Sequence, residues 1–171
     1  MKVAFVSLGC AKNLVNTEQM MALCRDAGYE VVGEPDGADV AVVNTCGFID
    51  SAKSEAIDTI LSIAPLKQEG RLGKLLVTGC LSQRYQNEIL EELPEVDGIL
   101  GTGSYTDIVP AIQSAVEGDA PTYFGDIDHT IEDGARVVST PGYMAYLKIA
   151  EGCDNRCAYC VIPSLRGRYR S

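Results

Sequence analysis

The sequence lacks a long hydrophobic run and is poor in positive charge. No apolar stretch approaches the roughly 18–20 residues that a membrane helix needs, and the N-terminus, MKVAFVSLGC, leaves no room for a signal peptide. We therefore expect a cytoplasmic protein without a membrane partner. Lys and Arg number 14 against 24 Asp and Glu, which gives a formal net charge of −10. This acidic balance argues against a protein that binds nucleic acid mainly through its phosphates.

Histidine is nearly absent, whereas cysteine is not. The single histidine, His129, lies isolated in an acidic stretch and is a weak candidate for a zinc ligand. The seven cysteines are an odd number in a chain without a secretory signal, and in a reducing compartment disulfides explain them poorly. Metal or redox chemistry explains them better. The cysteines are Cys10, Cys24, Cys46, Cys80, Cys153, Cys157 and Cys160.

The charge is unevenly distributed, which suggests two units with different roles. Residues 144–171 carry five Lys or Arg against two acids, whereas residues 1–143 carry a net charge of −13. A segment rich in Gly, Pro, Asp and Thr separates the two. We predict an N-terminal domain over residues 1–118, a linker or hairpin over residues 119–142, and the start of a second, truncated domain over residues 143–171.

Short apolar runs alternate with helical periodicity over the first hundred residues. Runs that are apolar on both faces are typical of a parallel sheet covered by helices, so we predict an α/β fold with an open parallel sheet. The predicted strands are 2–9, 30–32, 39–45, 74–79 and 96–101, and a further strand is predicted over 145–152. The predicted helices are 16–28, 51–66, 83–93 and 105–116. Asn16 with Gln19, and Ser104 with Asp107, are the predicted caps, and Pro65 is the predicted stop of the second helix.

Three cysteines share one structural context, each lying one residue past the end of a predicted parallel strand. They are Cys10, Cys46 and Cys80, the first triad. Strand–helix loops of an open α/β sheet gather at that edge, so three distant thiols can converge on one metal or cluster. The neighbouring glycines at positions 9, 47 and 79 would let backbone and sulfur approach a bulky ligand. The alternative is three separate buried structural cysteines.

The other cysteines divide into a second triad and a single residue. Cys153, Cys157 and Cys160, the second triad, form a Cys-x3-Cys-x2-Cys array after the last predicted strand. Three thiolates suit an iron–sulfur cluster with one iron left open, whereas structural zinc usually takes four protein ligands. Cys24 lies in the middle of a predicted helix, where a small buried hydrophobic residue is expected.

Several motifs together resemble a known family. EGCDNRCAYCVIPSLRGRYRS resembles the cluster loop of radical S-adenosylmethionine (SAM) enzymes. SLGCAKNLVNTE, NTCGFI and TGCLSQRY resemble the N-terminal domain of methylthiotransferases. The chain therefore resembles the N-terminal portion of a radical-SAM methylthiotransferase, and the resemblance covers essentially all 171 residues.

Two branches of that family differ in substrate. LGC-x-KN in the first loop and IPSLRG-x-YRS resemble the RimO branch, which methylthiolates an aspartate of a small-subunit ribosomal protein. The MiaB branch modifies tRNA adenosine and typically has YGCQMN in the first loop. Residues 16–18 read NTE, where DSE is expected for the RimO-like branch.

The resemblance implies the following chemistry. The second triad would hold a 4Fe–4S cluster that binds SAM and cleaves it to a radical, with Tyr159 near the adenine or in ordinary loop packing. The first triad would hold an auxiliary 4Fe–4S cluster for the inserted sulfur, and a second SAM would supply the methyl group. An electron donor and a ribosomal protein would be partners. Residues 143–171 would be the first strand and cluster loop of a (βα) barrel, so this piece alone is expected to be inactive.

Other readings stay open. One is a non-catalytic, metal-stabilised binding module, and another is a flavodoxin-like nucleotide-binding domain with incidental cysteines. Asn13, Asn44 and Thr45 either tune a cluster through hydrogen bonds or cap helices and turns. Glycines 101 and 103 weakly resemble a phosphate-binding loop, but we interpret them as part of a turn. A basic cluster near the end of the chain is read by default as a solvated face; it comprises Arg166, Arg168 and Arg170.

Overall fold

A six-stranded, all-parallel sheet organises the computed structural model, which describes residues 1–129 and 134–171. The strands are β1 (Lys2–Ser7), β2 (Glu30–Val32), β3 (Val40–Thr45), β4 (Lys74–Gly79), β5 (Gly98–Leu100) and β6 (Thr122–Tyr123). The strand order is β2-β1-β3-β4-β5-β6, which confirms the predicted open parallel sheet. The last strand, β6, lies within the segment predicted as a linker or hairpin.

Helices cover both faces of the sheet, which explains why the central strands are apolar throughout. Alternate residues of β3 face opposite ways: Val40 and Val42 pack into one buried cluster, and Ala41 and Val43 into the other. The helices are α1 (Ala11–Asp26), α2 (Asp50–Gln68), α3 (Cys80–Tyr85), α4 (Asn87–Glu92), α5 (Ile108–Glu117) and α6 (Ile162–Arg166). The first cluster includes residues of α1 and α5, and the second includes residues of α2, α3 and α4.

The strand order reverses next to β1, and this reversal places the loops that carry the first cysteines. The chain leaves β1 toward β2 on one side, whereas β3 pairs with the other side of β1. A crevice opens at the carboxyl edge of a parallel sheet where the order reverses in this way, and ligands of open α/β folds bind there. Cys10 and Cys46 follow the two strands that flank the reversal.

The predicted start of α1 at residue 16 is wrong, because the helix begins at Ala11 with Cys10 as its N-cap. Asn16 is buried inside the helix, and its side-chain oxygen accepts a hydrogen bond from Lys148 at 3.1 Å. Glu18 is also buried and accepts two hydrogen bonds from Ser139, at 2.7 and 2.9 Å. Asn16, one half of the predicted cap, and Glu18 therefore hold the later part of the chain against α1. Gln19, the other half of the predicted cap, lies buried inside the helix.

Two further helix predictions need correction. Pro65 does not end α2, which continues to Gln68. Pro65 is exposed, so water can take the hydrogen bond that the proline denies to the carbonyl one turn earlier. The single helix predicted over 83–93 is two short helices that change direction at Gln86, where φ is +43°. Leu81 before the break and Ile89 after it belong to the same buried cluster.

Two other predictions are wrong: the helix cap at Ser104 and the strand over 145–152. Ser104 does not cap a helix; its hydroxyl accepts a hydrogen bond from the N–H of Gly125 at 2.7 Å, and a 3₁₀ turn over Tyr105–Asp107 precedes α5. The strand predicted over 145–152 is reduced to one antiparallel bridge between Glu151 and Arg170. Within the described residues no strand lies beside it, and an isolated extended segment is not stable as a strand.

The remaining part of the predicted linker or hairpin is irregular where the structure describes it. Residues 135–139, a β-like piece in the sequence, form no strand, and residues 130–133 lie outside the described residues. Over 1–129 and 134–171, the structure contains no helix with the length and apolar character needed to cross a membrane.

Candidate metal centre

The three loops that carry the first triad lie against one another at the carboxyl edge of the sheet. Cys10 caps α1, Cys46 follows β3, and Cys80 is the first residue of α3. A methyl group at Gly9 would lie 2.6 Å from Cβ of Cys46, and one at Gly47 would lie 2.7 Å from the carbonyl oxygen of Cys80. The loops can approach one another this closely because Gly9 and Gly47 have no side chain.

Asn13 joins the three loops through its side chain. Its amide donates to the carbonyl oxygen of Leu8 at 3.0 Å and to that of Thr45 at 2.9 Å. Its side-chain oxygen lies 4.0 Å from the sulfur of Cys80. The amide of Asn44 donates in turn to the backbone oxygen of Asn13 at 2.9 Å. These asparagines therefore connect loops, rather than cap helices as one reading of the sequence suggested.

Arg166 reaches the first triad from the end of the chain. Its guanidinium is buried, donates to the side-chain oxygen of Asn13, and lies beside the thiol of Cys80. Burial raises the pKa of Cys80, and the positive charge of Arg166 opposes that effect.

Glu151 is the carboxylate at the centre of this junction. It lies 3.2 Å from the ammonium of Lys12 and 3.5 Å from the cationic groups of Lys148 and Arg166. Burial raises the pKa of Glu151, but the three cations outweigh burial and hold that pKa below its ordinary value. The glutamate therefore stays ionised and connects α1 to the segment that carries the second triad.

Sequence reasoning missed Glu151 and Lys12 as site residues and misassigned Arg166. The solvated face expected of the basic cluster is wrong for Arg166, although Arg168 is exposed. The local sequence does not show which of the two arginines is buried, because burial depends on the residues that the fold packs around each of them. The only available signal was the position of Arg166 six residues after Cys160.

The second triad lies on an irregular loop, and the start of this loop is hydrogen-bonded to the residue that follows α6. The N–H of Cys160 donates to the carbonyl oxygen of Cys157 at 2.9 Å, and the N–H of Cys153 donates to that of Gly167 at 3.1 Å. Cys157 is exposed, whereas Cys153 and Cys160 are partly buried. Tyr159 is 92% exposed, so its predicted place beside an adenine stays a prediction.

The donors of the first triad are three free thiols, a ligand type that suits an iron–sulfur cluster. In the parts of the chain that the structure describes, no three Cys, His, Asp or Glu side chains lie close enough to hold one metal ion. Three thiolates are nevertheless the usual protein ligands of an iron–sulfur cluster with one iron left open. The N-terminus of α1 at Cys10 and the buried Arg166 both favour negative charge there.

The weak phosphate-loop signal is explained by packing. A methyl group at Gly101 would collide with the side chain of Gln83, and one at Gly103 would lie 2.7 Å from the carbonyl oxygen of Gly125. The backbone of this loop is therefore covered by protein, and its glycines make that close approach possible. The turn reading of the sequence agrees with this arrangement.

Cys24 should react far more slowly than the exposed Cys10. Cys24 is fully buried on α1, and burial raises its pKa to about 12 from the ordinary 9.0. At pH 8 the thiolate fraction falls about a thousandfold as a result. Alkylation of the reduced native chain, mapped by mass spectrometry, should leave Cys24 unmodified until denaturant is added. Rapid labelling of Cys24 in the native chain would contradict its core position.

Comparison with known proteins identifies the family. A family model described as uncharacterized protein family UPF0004 matches residues 2–101. The ribosomal protein uS12 methylthiotransferase RimO of Clostridioides difficile is 53% identical over 100% of this chain and 39% of the relative. Its namesake in Lachnoclostridium phytofermentans is 52% identical, with the same coverage of both proteins. The namesake in Symbiobacterium thermophilum is 50% identical over 99% of this chain and 35% of the relative.

The chain thus spans about two fifths of the length of these relatives, at most 39% of each. The resemblance to RimO-like methylthiotransferases, predicted from the cysteine motifs, is confirmed. More than half of the residues fall within the match to the family model. The chain therefore belongs to the UPF0004 family.

Proposed function

We propose that this chain is part of a radical-SAM methylthiotransferase that modifies a small-subunit ribosomal protein. The observation that carries the proposal is the meeting of three cysteine loops at one sheet edge, with the second cysteine loop held to the same edge. Arg166 and Glu151 make that connection through Asn13 and Lys12. Sulfur insertion into a C–H bond requires two such centres within one protein.

The two triads are the proposed ligands of two 4Fe–4S clusters. With SAM, the clusters would supply radical formation at the second triad and the sulfur at the first. Three thiolates at each centre leave one iron without a protein ligand, so that a further molecule can bind. The exposure of Cys10 and Cys157 leaves both centres accessible from solvent. Asn13 holds two loops of the first triad together through its hydrogen bonds to Leu8 and Thr45.

The relatives and the charge support a protein substrate. All the relatives described above are named as methylthiotransferases of ribosomal protein uS12. The strongly acidic first 143 residues suit a basic protein better than the phosphates of tRNA. The proposal also includes the domain division at residues 118 and 142, a (βα) barrel beginning near residue 143, cytoplasmic location and a separate electron donor.

Iron and acid-labile sulfide per chain test the proposal first. After anaerobic reconstitution we expect about eight irons per chain, the content of two 4Fe–4S clusters. Replacing all three cysteines of either triad by alanine should leave about four irons in each case. The measurement is colorimetric iron and sulfide analysis with absorbance near 400 nm.

A Cys24→Ala chain is the matched control, because it loses a thiol that belongs to neither triad and should keep all its iron. Zinc in place of iron, or no metal at all, would reject the proposal in favour of a binding module without this chemistry. About four irons that depend only on the second triad would keep a radical-SAM enzyme and remove the sulfur-insertion step. Modification of tRNA rather than ribosomal protein by an enzyme that contains this chain would assign the MiaB-type substrate.

A further inference from the structure

Arg166 is a buried cation whose charge is only partly balanced by the carboxylate beside it. Its side chain is 5% exposed, and Oε2 of Glu151 lies 3.5 Å from its guanidinium. The same carboxylate also faces Lys148 at 3.5 Å and Lys12 at 3.2 Å. The carboxylate of Glu151 is therefore shared, and it is not a close counter-ion for Arg166 alone. Burying a charge without a close counter-ion is costly.

The three cations differ in how else they are stabilised. Lys12 is 43% exposed, so water screens its charge. The ammonium of Lys148 lies 5.5 Å from the ring centre of Tyr105, a distance at which an aromatic face attracts a cation. Arg166 is the most deeply buried of the three, and it faces the thiol of Cys80. The guanidinium of Arg166 is therefore a buried positive charge that lies next to the first triad.

We propose that Arg166 is a positioning residue of the first triad, whose guanidinium balances the negative charge that Cys10 and Cys80 acquire when they bind a metal cluster. It does so from the segment that carries the second triad, and its hydrogen bond to Asn13 holds that segment against the loops of the first. The inference rests on the cluster proposed at the first triad. The positive potential itself exists without the cluster and can be measured without it.

A charge in this position has a defined consequence for the cluster. Reduction adds negative charge, and a buried cation nearby stabilises the reduced form more than the oxidised form. Removing the charge of Arg166 should therefore lower the midpoint potential of the first cluster. A purely structural arginine would affect stability without a directed change in potential.

Two alkylating reagents of nearly equal size measure the potential in the metal-free, reduced chain. Iodoacetate is negatively charged and iodoacetamide is neutral, and both react with the thiolate of Cys10. The ratio of their rates at one pH cancels the ionised fraction and reports the local charge. We expect this ratio to fall roughly threefold in Arg166→Gln, the size of effect expected when a nearby unit charge is removed. Peptide mass spectrometry gives both rates.

The controls separate charge from folding. Arg168→Gln removes the same charge from an exposed residue two positions away and should leave the ratio unchanged. Arg166→Lys keeps the charge and should retain the ratio. Cys24 reports folding in the same digest, because it stays unmodified in a folded chain. The proposal is overturned if the ratio of rates is unchanged in folded Arg166→Gln, or if it falls in folded Arg166→Lys. It is also overturned if Cys24 becomes reactive in both variants, because Arg166 would then be needed for folding itself.

A second measurement separates this inference from the proposed function. In a chain whose second triad is replaced by alanine, the midpoint potential of the remaining cluster should be lower with Arg166→Gln and unchanged with Arg168→Gln. If the ratio of alkylation rates falls but no iron binds at the first triad, the proposed cluster is wrong and the directed positive charge stands. If iron binds and neither the ratio nor the potential changes, only the role of Arg166 is wrong.

Discussion

Gly79→Ala should lower the free energy of unfolding by about 3–5 kcal/mol and remove the iron expected at the first triad. Gly79 has φ +99° and ψ −153°, a region that is essentially restricted to glycine. A methyl group there would collide with the side-chain oxygen of Asn44 and would lie 2.5 Å from the carbonyl oxygen of Thr45. The next residue is Cys80, so any backbone shift that relieves the collision moves a proposed ligand.

Gly118→Ala is the matched control for this substitution. Gly118 has φ +102° and ψ 8°, and a methyl group on it would have no neighbour within 4 Å. Its replacement should cost only about 1 kcal/mol, from the left-handed backbone alone. Urea unfolding followed by circular dichroism gives both free energies, and iron analysis gives the cluster content. Equal stability of the two variants would show that the packing around Gly79 is not the constraint described above.

Glu151→Gln should release the C-terminal segment from the sheet while the N-terminal core stays folded. The substitution leaves Lys12, Lys148 and Arg166 without their shared carboxylate, and breaking a buried ion pair in this way costs about 3–5 kcal/mol. The cost falls on the attachment, because the two buried clusters consist of residues between positions 3 and 124. Hydrogen exchange should therefore rise over residues 144–171 and stay unchanged in β3.

Glu91→Gln is the control for Glu151→Gln, because Glu91 is an exposed glutamate on α4. It should leave hydrogen exchange unchanged throughout the chain. Limited proteolysis offers an independent measurement, since the released segment contains three arginines after residue 165 and should be cut early by trypsin. Full protection of residues 144–171 in Glu151→Gln would mean that other contacts hold the segment, and the central role of Glu151 would be wrong.

The strands and the convergence of the first triad could be predicted because both depend on short-range pattern. The run VAVVNT is apolar enough to be buried on both faces of any sheet, and Cys46 follows it directly. In a parallel sheet all such strand ends lie at one edge, so the placement of Cys10, Cys46 and Cys80 follows from the strands alone. No knowledge of the packing was needed for that step.

The helix ends could not be predicted, because they depend on partners far away in the sequence. Asn16 with Gln19 has the pattern of a helix start, but both residues lie inside α1, and the side chain of Asn16 accepts a hydrogen bond from Lys148. Local propensity is weaker than such tertiary contacts, and a polar residue at a buried position is satisfied wherever a partner lies. The same reasoning applies to Ser104, whose hydroxyl is taken by the backbone of Gly125.

Local hydrophobic pattern and the cysteine motifs predict the parallel α/β sheet, the edge at which the loops of the first triad meet and the family. They do not predict which charged residues join the two cysteine segments, because that depends on tertiary packing. Arg166 and Arg168 are equivalent in the sequence, yet one is buried beside Cys80 and the other is exposed. The physical reason is that strand formation follows from local hydrophobic pattern, whereas the state of a charge follows from its desolvation and from the counter-charges that the fold brings to it.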